Sequence, residues 1–142
     1  TEQLFSAAKS EFKYLEYYYF HNFIYESLWK DNSMRMNSRV PTTEIINTFN
    51  SNYKVFFVGD ATMSPYEIGS VGGSVEHWNE EAGFTWISRM LKNFPKAVWL
   101  NPQPIQYWNS IQSITMVKEI FSERMFPLTT DGLANAVNVL RR

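Results

Sequence analysis

Within Lys54–Ser64 (Lys-Val-Phe-Phe-Val-Gly-Asp-Ala-Thr-Met-Ser), an apolar run ends in a row of oxygen-bearing side chains. Val55–Val58 reads as a buried strand stopped by Gly59. Asp60, Thr62 and Ser64 then follow at alternate positions in a loop. In an open parallel sheet, ligands bind just outside the carboxyl ends of strands, so Asp60 is the most informative acid in the chain. A carboxylate with hydroxyls and water forms a hard oxygen set, which suits Mg²⁺, Mn²⁺ or Ca²⁺ rather than Zn²⁺ or Cu. The competing roles for Asp60 are general base and simple turn cap.

Other residues offer chemistry at lower specificity. His77 and Glu80 stand one helical turn apart and form a candidate acid–base pair. Ser64, His77 and Asp60 supply the residue types of a hydrolase, using Asp60 and His77 in the long loop, but no Gly-x-Ser-x-Gly elbow accompanies them. Asp31-Asn-Ser33-Met-Arg35 begins like an Asp-x-Ser-x-Ser metal loop and fails at Arg35. Glu67 stands near the Asp60 loop as a supporting group, while His21 reads as structural. Walker and Gly-x-Gly-x-x-Gly fingerprints are absent, which argues against nucleotide binding.

The elements that must position these residues follow from periodicity and turn signals. Thr1–Ser10 reads as a helix, Phe12–His21 as an aromatic strand buried on both sides, and Phe23–Trp29 as a second strand antiparallel to it. Lys30–Val40 is a polar loop. Pro41-Thr42-Thr43-Glu44 opens a helix through about Phe49, with Thr as a cap. Strands follow at Tyr53–Val58, Ala97–Leu100 and Arg124–Leu128. Helices are expected at Gly83–Phe94, around Ile114–Phe121, and after the cap at Thr129 or Thr130. Asp60–Ala82 is a long excursion, with a short helical turn after Ser64-Pro65 and glycines at 69, 72 and 73. The alternation of helix and strand from Thr42 onward predicts an α/β fold: a mostly parallel sheet with helices on both faces and one antiparallel edge strand.

The totals bound the rest. A chain of 142 residues is one domain by default and buries roughly 70% of its unfolded surface without staples. It has no cysteine, which excludes a disulfide framework, thiolate metal sites and a Cys nucleophile. Thirteen basic residues against 14 acidic ones make no electrostatic case for nucleic acid or an anionic membrane. No apolar run approaches the ~20 residues of a membrane span. The 11 Phe, 8 Tyr and 5 Trp predict a dense aromatic core, with some aromatics left for a partner surface.

Several stretches together resemble the von Willebrand factor A (VWA) fold, and within it the bacterial CoxE-like proteins. They are Tyr19-Phe-His-Asn22, Tyr25-Glu-Ser-Leu-Trp-Lys-Asp31, Arg39-Val-Pro-Thr-Thr43, Phe57–Ile68, Gly72–Glu81 and Ala97–Pro102. The resemblance covers essentially the whole chain. It implies a Rossmann-like VWA domain that holds Mg²⁺ (or Mn²⁺ or Ca²⁺) in a metal-ion-dependent adhesion site, with Thr42 at the Thr position and Asp60 at the third-loop Asp. An alternative register takes Asp60, Thr62 and Ser64 as the first metal motif. In the favoured register the first, central strand and its metal loop precede Thr1, so this stretch is expected to hold no metal by itself. The slot left by that strand is then expected to be filled by an N-terminal segment, by another copy, or by collapse of its flanking strands. The implied function is a cytoplasmic, metal-dependent protein-interaction module without enzymatic turnover. It would take a carboxylate from a partner protein and work with a MoxR-type AAA+ ATPase in protein maturation or remodelling.

Overall fold

The computed structural model describes residues 14–70 and 80–142. The helix expected at Thr1–Ser10, the start of the Phe12–His21 strand, and Glu76 and His77 lie outside the described residues.

Two sheets form. The first is a hairpin, β1 (Ser27–Trp29) antiparallel to β2 (Arg39–Pro41), with Leu28 opposite Val40. The second is parallel, β3 (Phe56–Val58), β4 (Val98–Asn101) and β5 (Met125–Pro127), in the order β3-β4-β5. Five α-helices complete the described elements: α1 (Thr42–Thr48), α2 (Pro65–Gly69), α3 (Gly83–Asn93), α4 (Gln112–Ile120) and α5 (Thr130–Arg141). Two 3-10 turns accompany them: Met36–Ser38 before β2, and Ile105–Ser110 between β4 and α4.

The parallel sheet is built by strict alternation. Phe57, Trp99 and Met125 point to one face, where Ile87 and Met90 of α3 and Ile114 and Val117 of α4 complete the larger core. Phe56, Val58, Val98, Leu100 and Phe126 point to the other, where Leu133, Ala136 and Leu140 of α5 cover them. Period-two alternation on β4 thus feeds two separate apolar layers, and this is why all four of its residues are buried. Trp99 is the hub of the larger layer. Its ring is stacked on Phe57 (centroids 5.8 Å apart, 8° between planes) and meets Phe121 edge-on at 5.5 Å. Phe20 and Phe23 close over it from the N-terminal side, at 5.8 and 6.0 Å.

The expected α/β class, parallel sheet and helices on both faces are present. The antiparallel part differs from expectation. Ser27–Trp29 pairs along its length with Arg39–Pro41, most of which is expected to be loop, and among the described residues the antiparallel partner expected at Phe12–His21 meets it at Trp29 alone. The hairpin is a separate two-stranded sheet, not an edge of the parallel one. Of residues 14–21, only Tyr19 pairs as in a strand, in a single bridge to Trp29. The physical reason is amphipathicity: Tyr14 and Tyr17 are exposed, so the aromatic run contributes alternate rings to the core and is not buried on both sides. Among the described residues, β4 is the one strand neighbour of β3.

Candidate functional site

The loop leaving β3 is held by side chains from two other elements. It starts in register with the sheet, as the Gly59 N–H donates to the Leu100 carbonyl (3.2 Å). Its next carbonyls are then taken one by one by side chains. Trp99 Nε1 donates to the Gly59 carbonyl at 2.7 Å, Asn101 Nδ2 to that of Asp60 at 3.0 Å, and Ser113 Oγ to that of Ala61 at 2.6 Å. The donors come from the middle of β4, the end of β4 and the first turn of α4, and all three side chains are buried. Ser113 also accepts the Met63 N–H (3.2 Å), so it closes the loop from both sides.

Ala61 takes a left-handed backbone, φ 58°, and is fully buried. For an L-residue this conformation costs roughly 1–2 kcal/mol and persists only where its surroundings over-determine it. The side-chain donors supply that constraint. Gly59 is needed for a different reason: a Cβ there would come within 3.2 Å of Trp99 and 3.3 Å of Phe20, tighter than packed rings readily allow.

The outcome is a carboxylate turned outward. Asp60 is exposed. Its Oδ1 accepts the Thr62 N–H at 3.0 Å, and its other oxygen takes no hydrogen bond from any described residue. Ser64 caps α2, its Oγ accepting the Tyr66 N–H at 3.3 Å, with Pro65 at the first helical position. Asp60, Thr62 and Ser64 therefore sit in one loop at the carboxyl end of β3, as the alternative register arranges them. Tyr66 after β3, and Ile105 and Tyr107 after β4, are exposed on segments that leave the same end of the sheet.

Thr42 lies elsewhere. It is fully buried at the start of α1, where its Oγ1 donates to the Tyr25 carbonyl (2.6 Å) and its N–H to the Glu26 carbonyl (2.8 Å). No hydrogen bond joins it to the Asp60 loop among the described residues. Its side chain does not cap α1, whose N-cap is Pro41. As placed, Asp60 fits a hard cation as an exposed oxygen donor, while Thr42 is enclosed with its proton committed to backbone. No group of three or more His, Asp or Glu suited to a metal occurs among the described residues. Asp31 and Ser33 make a local turn, with the Ser33 N–H and hydroxyl both donating to Asp31, and the hydroxyl bond holds the Asp31 carboxyl below the usual range.

A second carboxylate group lies on the hairpin side. Glu67 is buried, with Asn22 Nδ2 donating to both its oxygens at 3.3 and 3.2 Å. Tyr25 OH donates to the Glu67 backbone carbonyl at 2.8 Å. Burial, then the Glu67 and Glu26 carboxylates, push the Tyr25 phenol well above its ordinary pKa. Glu26 in turn accepts the N–H groups of Glu80 (2.8 Å) and Glu81 (3.1 Å). Reasoning from sequence missed Asn101 and Ser113. A polar residue closing a fully apolar strand was the available signal for Asn101, whereas Ser113 carried none.

Comparison with protein-family models, with curated proteins and with solved structures finds no match to this chain.

Proposed function

We propose that this chain is a protein-interaction module whose contact surface is the carboxyl end of the parallel sheet, centred on Asp60. The observation that carries the reading is the rigidly held loop: three buried donors and a left-handed alanine serve to present one outward carboxylate. Strained backbone held against its preference concentrates at binding sites. Exposed Tyr66, Ile105 and Tyr107 leave the same end of the sheet, and such residues favour protein contact over solvent.

Within this reading Asp60 is the chain's principal oxygen ligand to Mg²⁺ or Mn²⁺, with the Thr62 and Ser64 hydroxyls beside it. A bound divalent ion would bridge Asp60 to a carboxylate on the partner. The carbonyls of Gly59, Asp60 and Ala61 are turned to Trp99, Asn101 and Ser113, so waters and partner groups would supply most of the remaining ligands, a composition Mg²⁺ tolerates well. Thr42 serves here by fixing α1 to the hairpin. The VWA resemblance extends the reading to an adaptor for a MoxR-type AAA+ ATPase, acting without turnover of its own.

The test is capture of a purified MoxR-type ATPase by the immobilised chain, with Mg²⁺ or with chelator. Capture should need Mg²⁺ and be lost in Asp60→Ala with the melting temperature unchanged. Capture indifferent to both chelator and Asp60→Ala would refute the metal bridge.

A further inference from the structure

We infer that Asn101 and Ser113 are positioning residues that set the direction of the Asp60 carboxylate, with Ala61 as the strained joint they hold; the ligand part of this inference rests on the reading of Asp60 as a cation-binding residue. Neither Asn101 nor Ser113 is needed to cover the core. Both are polar and essentially inaccessible, at 0% and 2% exposure, in surroundings that are otherwise apolar. A buried amide or hydroxyl is retained at such a place only if its hydrogen bonds are satisfied, and here they are satisfied by this loop. Asn101 Nδ2 donates to the Asp60 carbonyl and lies 3.7 Å from Met125 Sδ, while its Oδ1 accepts the Gln103 N–H at 2.8 Å. The one amide thus ties the loop after β3 to the loop after β4. Ser113 ties the same loop to α4 through the Ala61 carbonyl and the Met63 N–H.

The geometry explains why two clamps are needed. A φ of 58° at Ala61 fixes the rotation of the peptide unit before it relative to the one after it. Asn101 holds the carbonyl before Ala61 and Ser113 holds its own. With both carbonyls directed into the protein, the Asp60 side chain has only the outward course, and the Thr62 N–H is left to meet its Oδ1. Release of either clamp lets Ala61 relax to a right-handed or extended conformation, which swings Asp60 and breaks the turn. Ala61→Gly tests the joint from the other side. Glycine holds φ > 0 without the strain that alanine bears, so with both clamps in place the loop keeps its direction.

The experiment pairs two readouts on the wild-type chain, Ser113→Ala, Asn101→Ala, Ala61→Gly and Asp60→Asn. The first is Mn²⁺ binding followed by electron paramagnetic resonance with the metal alone. The second is amide hydrogen exchange, comparing Thr62 and Met63 with the interior of α5. Positioning predicts Mn²⁺ affinity about five- to tenfold weaker in Ser113→Ala and Asn101→Ala, the equivalent of about one net hydrogen bond, and undiminished in Ala61→Gly. It also predicts that exchange at Thr62 and Met63 accelerates by a similar factor while α5 is unchanged. Ala61→Gly leaves the buried donors in place, so its retained affinity assigns the loss in the other two variants to the clamps. If Mn²⁺ binding is absent, or present but indifferent to Asp60→Asn, the cation reading fails; selective acceleration at Thr62 and Met63 then still supports the clamp. Asp60-dependent Mn²⁺ binding unaffected by both Ser113→Ala and Asn101→Ala would overturn the positioning role. Exchange that rises equally in the loop and in α5 would overturn it too, by reducing Asn101 and Ser113 to general stability.

Discussion

Tyr25 shows how one polar atom joins two parts of the fold. Its phenol donates to the Glu67 carbonyl, its own backbone carbonyl accepts from Thr42, and its ring meets Phe23 edge-on at 6.5 Å. Because the folded state raises the phenol's pKa, the unfolded chain loses its proton first, near pH ~10. Between that pH and the folded value the native state binds more protons, so stability falls as pH rises. The contribution is complete below pH ~10 and lost on passing through the folded pKa. Tyr25→Phe removes the hydrogen bond and the titration together. It should cost about 1 kcal/mol at neutral pH and flatten the alkaline decline, both readable from urea unfolding across a pH series. An alkaline slope identical to wild type would assign the decline to other groups.

At the scale of elements, the closest backbone approach among the described glycines joins α5 to β5. Thr129 caps α5, its Oγ1 accepting the Gly132 N–H at 3.0 Å. The first turn is pressed onto the strand so tightly that a Cβ on Gly132 would fall 1.9 Å from the Pro127 carbonyl oxygen. Backbone cannot yield there as a side chain can. Gly132→Ala should therefore cost about 3 kcal/mol, at the upper end for overpacking, by displacing α5 from the smaller core. Thermal unfolding measures this directly. A melting temperature within error of wild type would mean that the helix shifts without penalty.

The whole molecule is organised by the parallel sheet, whose two faces feed separate apolar layers. The larger layer does not stop at the sheet. Phe23 and Ile24 just before the hairpin, Leu28 and Val40 in it, and Ile45 of α1 belong to the same buried cluster as Phe57, Trp99, Ile114 and Phe121. Although β1 and β2 form their own sheet, they share a core with β3, β4 and β5. Cooperative unfolding follows from shared burial. Tryptophan fluorescence and far-ultraviolet circular dichroism should report coincident denaturant transitions, since Trp29 lies in the hairpin while Trp99 lies in the central strand. Two resolved midpoints would show that the hairpin unfolds apart from the sheet.

Much of this arrangement was legible in the amino-acid order. Helices α1 through α5 declare themselves by apolar spacing, by Pro65 and Pro95, and by Ser64 and Thr129 as caps, because helix formation depends on neighbours within a turn or so. Strands β3, β4 and β5 were visible as short apolar runs between those helices, for a similarly local reason. The partner of Ser27–Trp29 was not, since Arg39–Pro41 carries no strand pattern and is recruited by pairing across a long loop.

The acid after β3 illustrates the division most clearly. Sequence alone determined that Asp60 leaves a buried strand at the end of a parallel sheet where ligands bind. Only the tertiary structure decided how it is held, because the donors on Trp99, Asn101 and Ser113 lie about 40 to 50 residues away in the chain and meet the loop solely through the packing of β4 and α4. The left-handed turn at Ala61 has no local signature either. An alanine takes that conformation when distant hydrogen bonds outweigh its intrinsic preference.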